Sequence, residues 1–461
     1  MISRRGLFAA ATGTAGALTL ASCARDDRSD PHTIRYWGMG AADKDKDEAV
    51  AAAYVKTPQG RGMTIRINQV PANGNADMSQ IITAVRGGTA PDLWWQDRFN
   101  TVQNASIGLL EPVGPLIEEF EGMPWREYAK QWVQFAIDEL TYDDQLYGLP
   151  TSTDARGLMY NENLLREAGI DLDMFDPEQH TLTWDEMWEV CAKLTKRDGR
   201  GNFTYLGFVP WIDEGWPYTW GFGKGAEAYD NSTAKATLDS PQWKDVYEFY
   251  RTWADEYPYS AVDAFMGTYQ PPNAPPSQTA MFSERLAITT TGPWQIQGNE
   301  KYAPKIPMKF TWLPVEKDGD PHYTWSGGQS LVIPKGANVT KALWEYMKFH
   351  AGQPGQSIIQ PMLGNLPTHL QTIADKKYNP KAELFKQMLP DARSRPPLPV
   401  GSAIWDTMDR TRTSVPIGSL SPQDAAEQNQ QYVEPKMELF PGYKMPPTYG
   451  ERNDLTPPPA E

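Results

Sequence analysis

"TAPDLWWQDRFNTVQNASIGLLEPV", residues 89–113, is the stretch on which the reading of this chain turns. Pro91 to Trp95 is a short apolar run closed by polar residues, the pattern of a buried strand. It follows "MSQIITAVRGG" (Met78–Gly88), whose apolar spacing and closing glycines predict a helix. Further back, "TIRYWGMG" (Thr33–Gly40) reads as a first strand and "MTIRINQVP" (Met63–Pro71) as a second. A helix is expected between them, ended by "TPQGRG" (Thr57–Gly62). Strands alternating with helices predict a parallel α/β sheet. The same stretch sets Trp94 and Trp95 against Gln96, Asp97 and Arg98. Aromatic rings offer flat apolar faces, and the polar trio offers hydrogen bonds to a group stripped of water. Together they suit a polyhydroxylated ligand. The competing reading is a strand end with core tryptophans and an Asp97–Arg98 surface ion pair.

Downstream, "GLLEPVGPLIEEF" leads into another helix, and "WREYAKQWVQFAIDEL" (Trp125–Leu140) has the apolar stripe of a single amphipathic helix. Asp143–Ile170 gives a turn, the extended "YGLPTSTD", a strand "RGLMYN" and a helix stopped at Gly169. Thr183 and Glu186 form a capping box for the next helix. On it Trp184, Met187, Trp188, Cys191 and Leu194 recur at helical spacing, so Cys191 is expected to be a buried apolar residue. "RDGRGN" (Arg197–Asn202) lacks the closing Glu of a calcium loop and reads as a turn. Ser240 is expected to cap a later helix. "TAMFSERLAITTTGPW", "KFTWLPV", "HYTWSGGQSLVIPKG" and "TKALWEYMKFHAG" return to strand–helix alternation. The Pro-rich end, 444–461, is expected to be poorly ordered.

The chain has 461 residues, long enough for two or three domains, with 43 basic and 58 acidic side chains. No basic stripe suited to nucleic acid is visible. The N-terminus reads as an export signal, residues 1–22, with Arg4 and Arg5 ahead of an apolar stretch. Ser3–Phe8 resembles a twin-arginine signal. Leu20-Ala21-Ser22-Cys23 resembles a bacterial lipobox, which would make Cys23 the lipidated first residue and anchor the protein outside the cell membrane. Residues 23–32 then read as a tether. The apolar stretch Leu7–Ala21 is too short to span a bilayer. With Cys23 lipidated, Cys191 has no disulfide partner. The five histidines show no metal-ligand spacing, so no metal or cofactor is expected.

These segments, in this order, resemble the solute-binding proteins of bacterial ABC importers, of the maltose/maltodextrin-binding type. "GTAPDLWWQDRF", "LYGLPTSTDARGLMYNENLLREAGI", "TLTWDEMWEVCAKL", "TAMFSERLAITTTGPW", "SGGQSLVIPKG" and "SAIWDTMDRTRTSV" carry the resemblance, which covers nearly all of 33–440. It implies a type II periplasmic-binding-protein-like α/β fold of two lobes joined by a hinge. The first lobe would hold 33–151 and 327–364, the second 152–326 and 365–443. It implies no catalysis. It implies capture of a mono- or oligosaccharide between the lobes by a monomer that delivers it to permease subunits. By the same resemblance Trp94 or Trp95, Asp97, Arg98, Asp154, Trp216, Trp294, Gly328 and Trp405 line the site. Trp211, Tyr218 and Trp220 share the Trp216 loop. Each tryptophan could instead belong to a lobe core. A glycerophosphodiester or other polyol phosphate is the alternative ligand, with Arg98, Arg156 or Lys224 as its cation. Asp97, Asp154, Asp213 and Glu214 lean toward a neutral or amino sugar. A glycoside hydrolase, which also joins tryptophans to carboxylates, is the alternative class. No nucleophile elbow, zinc-protease, P-loop or dinucleotide motif accompanies them.

Overall fold

A computed structural model describes residues 30–40, 43–69, 78–375 and 380–459. The expectations for the export signal, Cys23 and most of the tether fall outside these residues. The strands that carry the fold are β1 (Thr33–Gly38), β2 (Thr64–Gln69), β3 (Leu93–Asp97), β4 (Gly148–Pro150), β5 (Gly157–Asn161), β6 (Ile288–Thr291), β7 (Met308–Thr311), β8 (Thr324–Ser326), β9 (Gln329–Pro334) and β10 (Ala392–Ser394). β1 runs parallel to β2 and to β3, with Tyr36 beside Leu93 and Trp37 beside Trp94. β9 joins the other edge of β3 antiparallel, placing Val332 against Trp94 and Gln329 against Asp97. β4 then pairs with β9. One face of this sheet, with Tyr36, Leu93, Leu331 and Ile333, packs on Trp344, Tyr346 and Met347 of the helix Lys341–Ala351. Such burial stabilises by about 1.5–3 kcal/mol per large apolar side chain.

The second sheet has the order β6-β5-β7 and is antiparallel throughout. The expected parallel character therefore belongs to the first lobe. In the second, β5 receives both partners from segments far downstream, so no strand–helix–strand crossover sets their direction. The helices Trp184–Leu194, Pro241–Glu256 and Gly401–Ile417 pack around it, with Trp220, Trp243, Tyr250 and Trp253 in a continuous core. Cys191 is fully buried there, and burial pushes its thiol well above the usual range. The Thr183–Glu186 capping box forms as expected. Asp198 accepts the amides of Arg200 and Asn202 in a turn. Ser240 does precede its helix, but its hydroxyl makes no capping bond.

A third core, with Val133, Phe135, Ala155, Leu366, Phe385 and Leu389, draws on segments from both sides of the molecule. It breaks the long helix expected over 125–140. Trp132 forms an isolated bridge with His369, and the Val133 amide donates to the Thr368 carbonyl at 2.9 Å. The helix accordingly splits into Trp125–Ala129 and Gln134–Asp138. The apolar stripe was there, but a tertiary hydrogen bond outcompetes the helical one. The Pro-rich end is another correction. Met445 and Asn453 are buried, so this segment is docked on the body rather than loose.

The chain passes between the two main cores at Thr151–Asp154, at Ser326–Gly328 and near Leu366. Thr153 and Leu366 exchange backbone bonds of 2.8 Å, and Thr151 donates to the Gln329 carbonyl at 2.9 Å. These crossings form a floor between the lobes.

Candidate functional site

β3 ends on this floor, and its alternation decides what its side chains can do. Trp95 shares a face with Leu93 and packs on the first-lobe core. Trp94 lies on the opposite face with Gln96, whose amide is held by Thr101 at 2.9 Å and Asn104 at 2.7 Å. Both tryptophans are half-buried within the sheet. Neither has a ring contact with Trp216, Trp294 or Trp405.

Arg98 is the clearest departure from the expected ligand contacts. Its side chain is fully buried. Its Nε donates to Glu139 at 2.8 Å, one terminal nitrogen donates to the Ser152 carbonyl, and the other to the Gly327 carbonyl at 2.8 Å. The guanidinium is spent on stapling two crossings together. Gly328 explains why the staple fits. Its φ of +138° is open only to glycine, and a Cβ there would lie 2.2 Å from the Ser152 oxygen and 2.4 Å from Arg98.

Asp97 does not pair with Arg98. It accepts from both terminal nitrogens of Arg395, at 3.2 and 2.5 Å, and caps the Phe99 amide at 3.0 Å. Arg395 is itself buried. Burial works against its charge, but Asp97 and Glu139 outweigh it and hold its pKa above the usual value. Asp154 accepts from the Gly327 amide at 2.6 Å and from Arg156. Arg156 also reaches Glu214 through Nε at 3.2 Å and Nη2 at 3.1 Å.

Rings and guanidinium groups alternate across the floor. Arg156 lies 3.7 Å from the Trp325 ring centre and 5.1 Å from that of Trp294. Arg395 lies over Phe99 at 4.5 Å, Trp325 at 5.6 Å and Trp405 at 5.7 Å. Trp405 packs on Trp216 with centres 4.2 Å apart, and Arg412 sits 3.7 Å from the Trp216 ring. Cation–ring contacts of this kind contribute about 0.5–2 kcal/mol each. Trp325 is buried, its indole nitrogen bonded to Thr219 at 2.8 Å. Trp216, Trp294 and Trp405 are half-buried, as Trp94 and Trp95 are, and Trp216 and Trp405 pack on the second-lobe core. Trp294 folds back so closely that a Cβ on Gly292 would come within 2.1 Å of its ring.

The structure thus gathers Asp97, Asp154, Trp216, Trp294 and Trp405 around one floor, with Arg98 and Gly328 beneath it. It leaves Trp94 and Trp95 in the first-lobe sheet. Trp211, Tyr218 and Trp220 go into the second-lobe core. Lys224 pairs with Glu316. Asp213 accepts the Thr289 hydroxyl at 2.5 Å. Sequence reading missed Glu139, Trp325, Arg395 and Arg412. No local pattern marks them; a buried Glu at a helix end gives no sign of two arginines from distant segments. Among the described residues no His, Cys, Asp or Glu cluster could hold a metal ion.

Residues 49–386 match the family described as "Bacterial extracellular solute-binding protein". The maltotriose-binding protein of Pyrococcus abyssi is 24% identical over 339 residues, a match spanning 70% of this chain and 65% of that protein. The sn-glycerol-3-phosphate-binding periplasmic protein of Salmonella typhimurium is 23% identical over 381 residues, 77% of this chain and 81% of that one. Among solved structures, CpMnBP1 with mannotriose bound superposes with a TM-score of 0.73 at 21% identity, over 87% of this chain and 100% of that chain.

Proposed function

This chain belongs to the bacterial extracellular solute-binding proteins, and from that premise we propose that it captures a neutral mono- or oligosaccharide between its lobes and delivers it to an ABC-transporter permease. The observation that carries the reading is the floor itself. Three half-buried tryptophans lie along it, Trp216 against Trp405 and Trp294 beside Arg156, and nearly every charge is already matched by an opposite one. Trp216, Trp294 and Trp405 offer the faces on which sugar C–H surfaces lie. Asp97, Asp154 and Glu214 have acceptor capacity left for hydroxyls, and charge-assisted bonds to them would be strong. The sugar-binding names of several relatives agree, including maltotriose for the Pyrococcus abyssi protein.

An anionic ligand needs a free cation. Arg98, Arg156 and Arg395 are each held by a carboxylate, and Lys224 by Glu316. Arg412 is the exception: among the described residues no carboxylate lies within ion-pair distance of it, and it donates to the Asp213 carbonyl at 3.3 Å. With the glycerol-3-phosphate-binding relative, it keeps a polyol phosphate as the second reading. Calorimetry with the mature protein, across neutral oligosaccharides, amino sugars and glycerophosphodiesters, separates the two. Saturable binding of a neutral sugar with a tryptophan fluorescence change is expected. Binding confined to phosphodiesters overturns the sugar assignment. The sugar is expected to be recovered intact; released product would make the protein a hydrolase.

The lobe limits given above, 33–151 with 327–364 and 152–326 with 365–443, belong to this proposal, as does a monomeric state. So does anchoring at the outer face of the cell membrane through lipidated Cys23. Among the described residues no helix is long and apolar enough to cross a membrane. Cys23→Ser should abolish partition of the cell-made protein into detergent.

A further inference from the structure

The C-terminal segment after the last long helix, Pro422–Met437, returns over the body and is bound on both sides of the hinge. Its second-lobe anchors come first. The Tyr443 carbonyl accepts from Tyr229 at 2.8 Å. Met445 and Asn231 exchange two bonds, of 2.9 and 3.2 Å. Its first-lobe anchors follow. The Tyr443 ring stacks on Tyr142 with centres 5.9 Å apart and planes 19° apart. The Thr448 hydroxyl donates to Asp138 at 2.6 Å. Asn453 spans both lobes: its side-chain oxygen accepts from the Phe135 amide at 3.2 Å in the first, while its side-chain nitrogen donates to the Ala392 carbonyl at 2.9 Å in the second. Back on the second lobe, the Tyr449 hydroxyl donates to the carbonyl of Ser394, the last residue of β10, at 3.1 Å.

Two of the anchors bind features that the rest of the fold leaves incomplete. Asp138 is buried at a helix end, where Gln134 is its other side-chain donor. Phe135 is in the first turn of its helix, where the amide has no helical acceptor. The segment is rich in proline, Pro446 and Pro447 among them, so little chain entropy is lost on docking.

We propose that residues 443–455 are a strap that sets the separation of the two lobes and thereby the affinity for ligand. The inference rests on the two-lobe capture reading for its affinity consequence, but not for its geometric one. While the strap is docked, the lobes also touch across the floor. Gln103 accepts from the Ser402 amide at 2.9 Å, Asp97 binds Arg395, and Phe99 faces Trp405 with centres 6.3 Å apart. Separating the lobes requires the strap to release one set of anchors or to stretch. A docked strap therefore favours the arrangement in which both walls reach one ligand. Loosening it populates an arrangement that binds weakly, and apparent affinity falls with the competent fraction.

The test uses two variants of the full mature chain. Thr448→Ala with Asn453→Ala removes the bonds to Asp138 and Phe135 in the first lobe together with that to Ala392 in the second, and Asn231→Ala removes a second-lobe anchor only. Small-angle X-ray scattering without ligand should show a larger radius of gyration for both than for the parent. Calorimetry with whichever solute binds the parent should show about threefold to thirtyfold weaker binding for both. Thermal unfolding of each variant confirms that it is folded at the measuring temperature. Folded variants with an unchanged radius of gyration overturn the strap, whatever the ligand is. A larger radius with unchanged affinity also overturns it, by cutting the link to binding. If the parent binds no sugar, the scattering arm still decides the strap, and only the capture reading fails. If the double variant does not fold, Asn231→Ala alone decides.

Discussion

The end of β3 and the Trp216–Trp405 pair contain the same chemistry, tryptophans beside an arginine, and the fold uses them in opposite ways. At β3, Trp94 and Trp95 are built into the two faces of a sheet, and Arg98 is buried as a staple between crossings. At the second-lobe wall, Trp216 starts one helix, Trp405 lies in the second turn of another, and Arg412 rests on the Trp216 ring while donating to the Asp213 carbonyl. Register makes the difference. β3 turns Trp95 onto the first-lobe core, whereas Trp216 starts one helix and Trp405 lies in the second turn of another, so these two rings meet each other beside Arg395 and Arg412. The setting of each ring is therefore decided by its register and its neighbours, not by the motif's composition.

The largest effect expected from this contrast is at Arg98. Arg98→Ala should cost about 3–5 kcal/mol of stability, because Glu139 is left buried without its closest partner. Urea unfolding measures it. A variant as stable as the parent that has lost only ligand binding would return Arg98 to the ligand shell. Next is the buried His350, edge-on to Tyr36 and Tyr346 in the first lobe. Burial pushes its pKa down from 6.5 to about 4. The unfolded chain takes up a proton below about pH 6.5 that the folded chain refuses until about pH 4. Stability contributed by neutral His350 is thus lost as pH falls through that window, up to ~3 kcal/mol. His369 adds in the same direction, its pKa also lowered to about 4 by burial. His350→Phe should flatten the pH dependence of the unfolding midpoint between 4 and 6.5; an unchanged slope would show that the ring is not shielded as drawn. The smallest effect sharpens the contrast directly. Trp405→Ala should weaken a bound sugar by about 1–3 kcal/mol, the scale of one buried aromatic, while Trp94→Phe should leave affinity unchanged. Calorimetry that found the reverse order would move the wall back to β3.

How far the sequence could be read follows the range of the interactions. β1, β2, β3 and the helices between them were legible because each is fixed by its own alternation or stripe. The Thr183 capping box and buried Cys191 were legible for the same reason. The antiparallel direction of the second sheet was not legible, since β6 and β7 reach β5 from segments more than a hundred residues away. The split of 125–140 depends on His369 and Thr368. The docking of the Pro-rich end depends on Asp138 and Asn231, which no pattern ties to it.

By itself the sequence determined the α/β class, the strand–helix alternation of the first lobe, the family and the kinds of side chain available for a ligand. Only the tertiary structure decided which of them are free. Arg98 was committed to the hinge, Asp97 went to Arg395, Trp95 packed on the first-lobe core, and Trp216 and Trp405 packed on each other beside Arg395 and Arg412. The physical reason is that strand and helix periodicities are local, whereas a buried charge must find its counter-charge wherever the chain brings one, and those partners come from segments far apart in sequence.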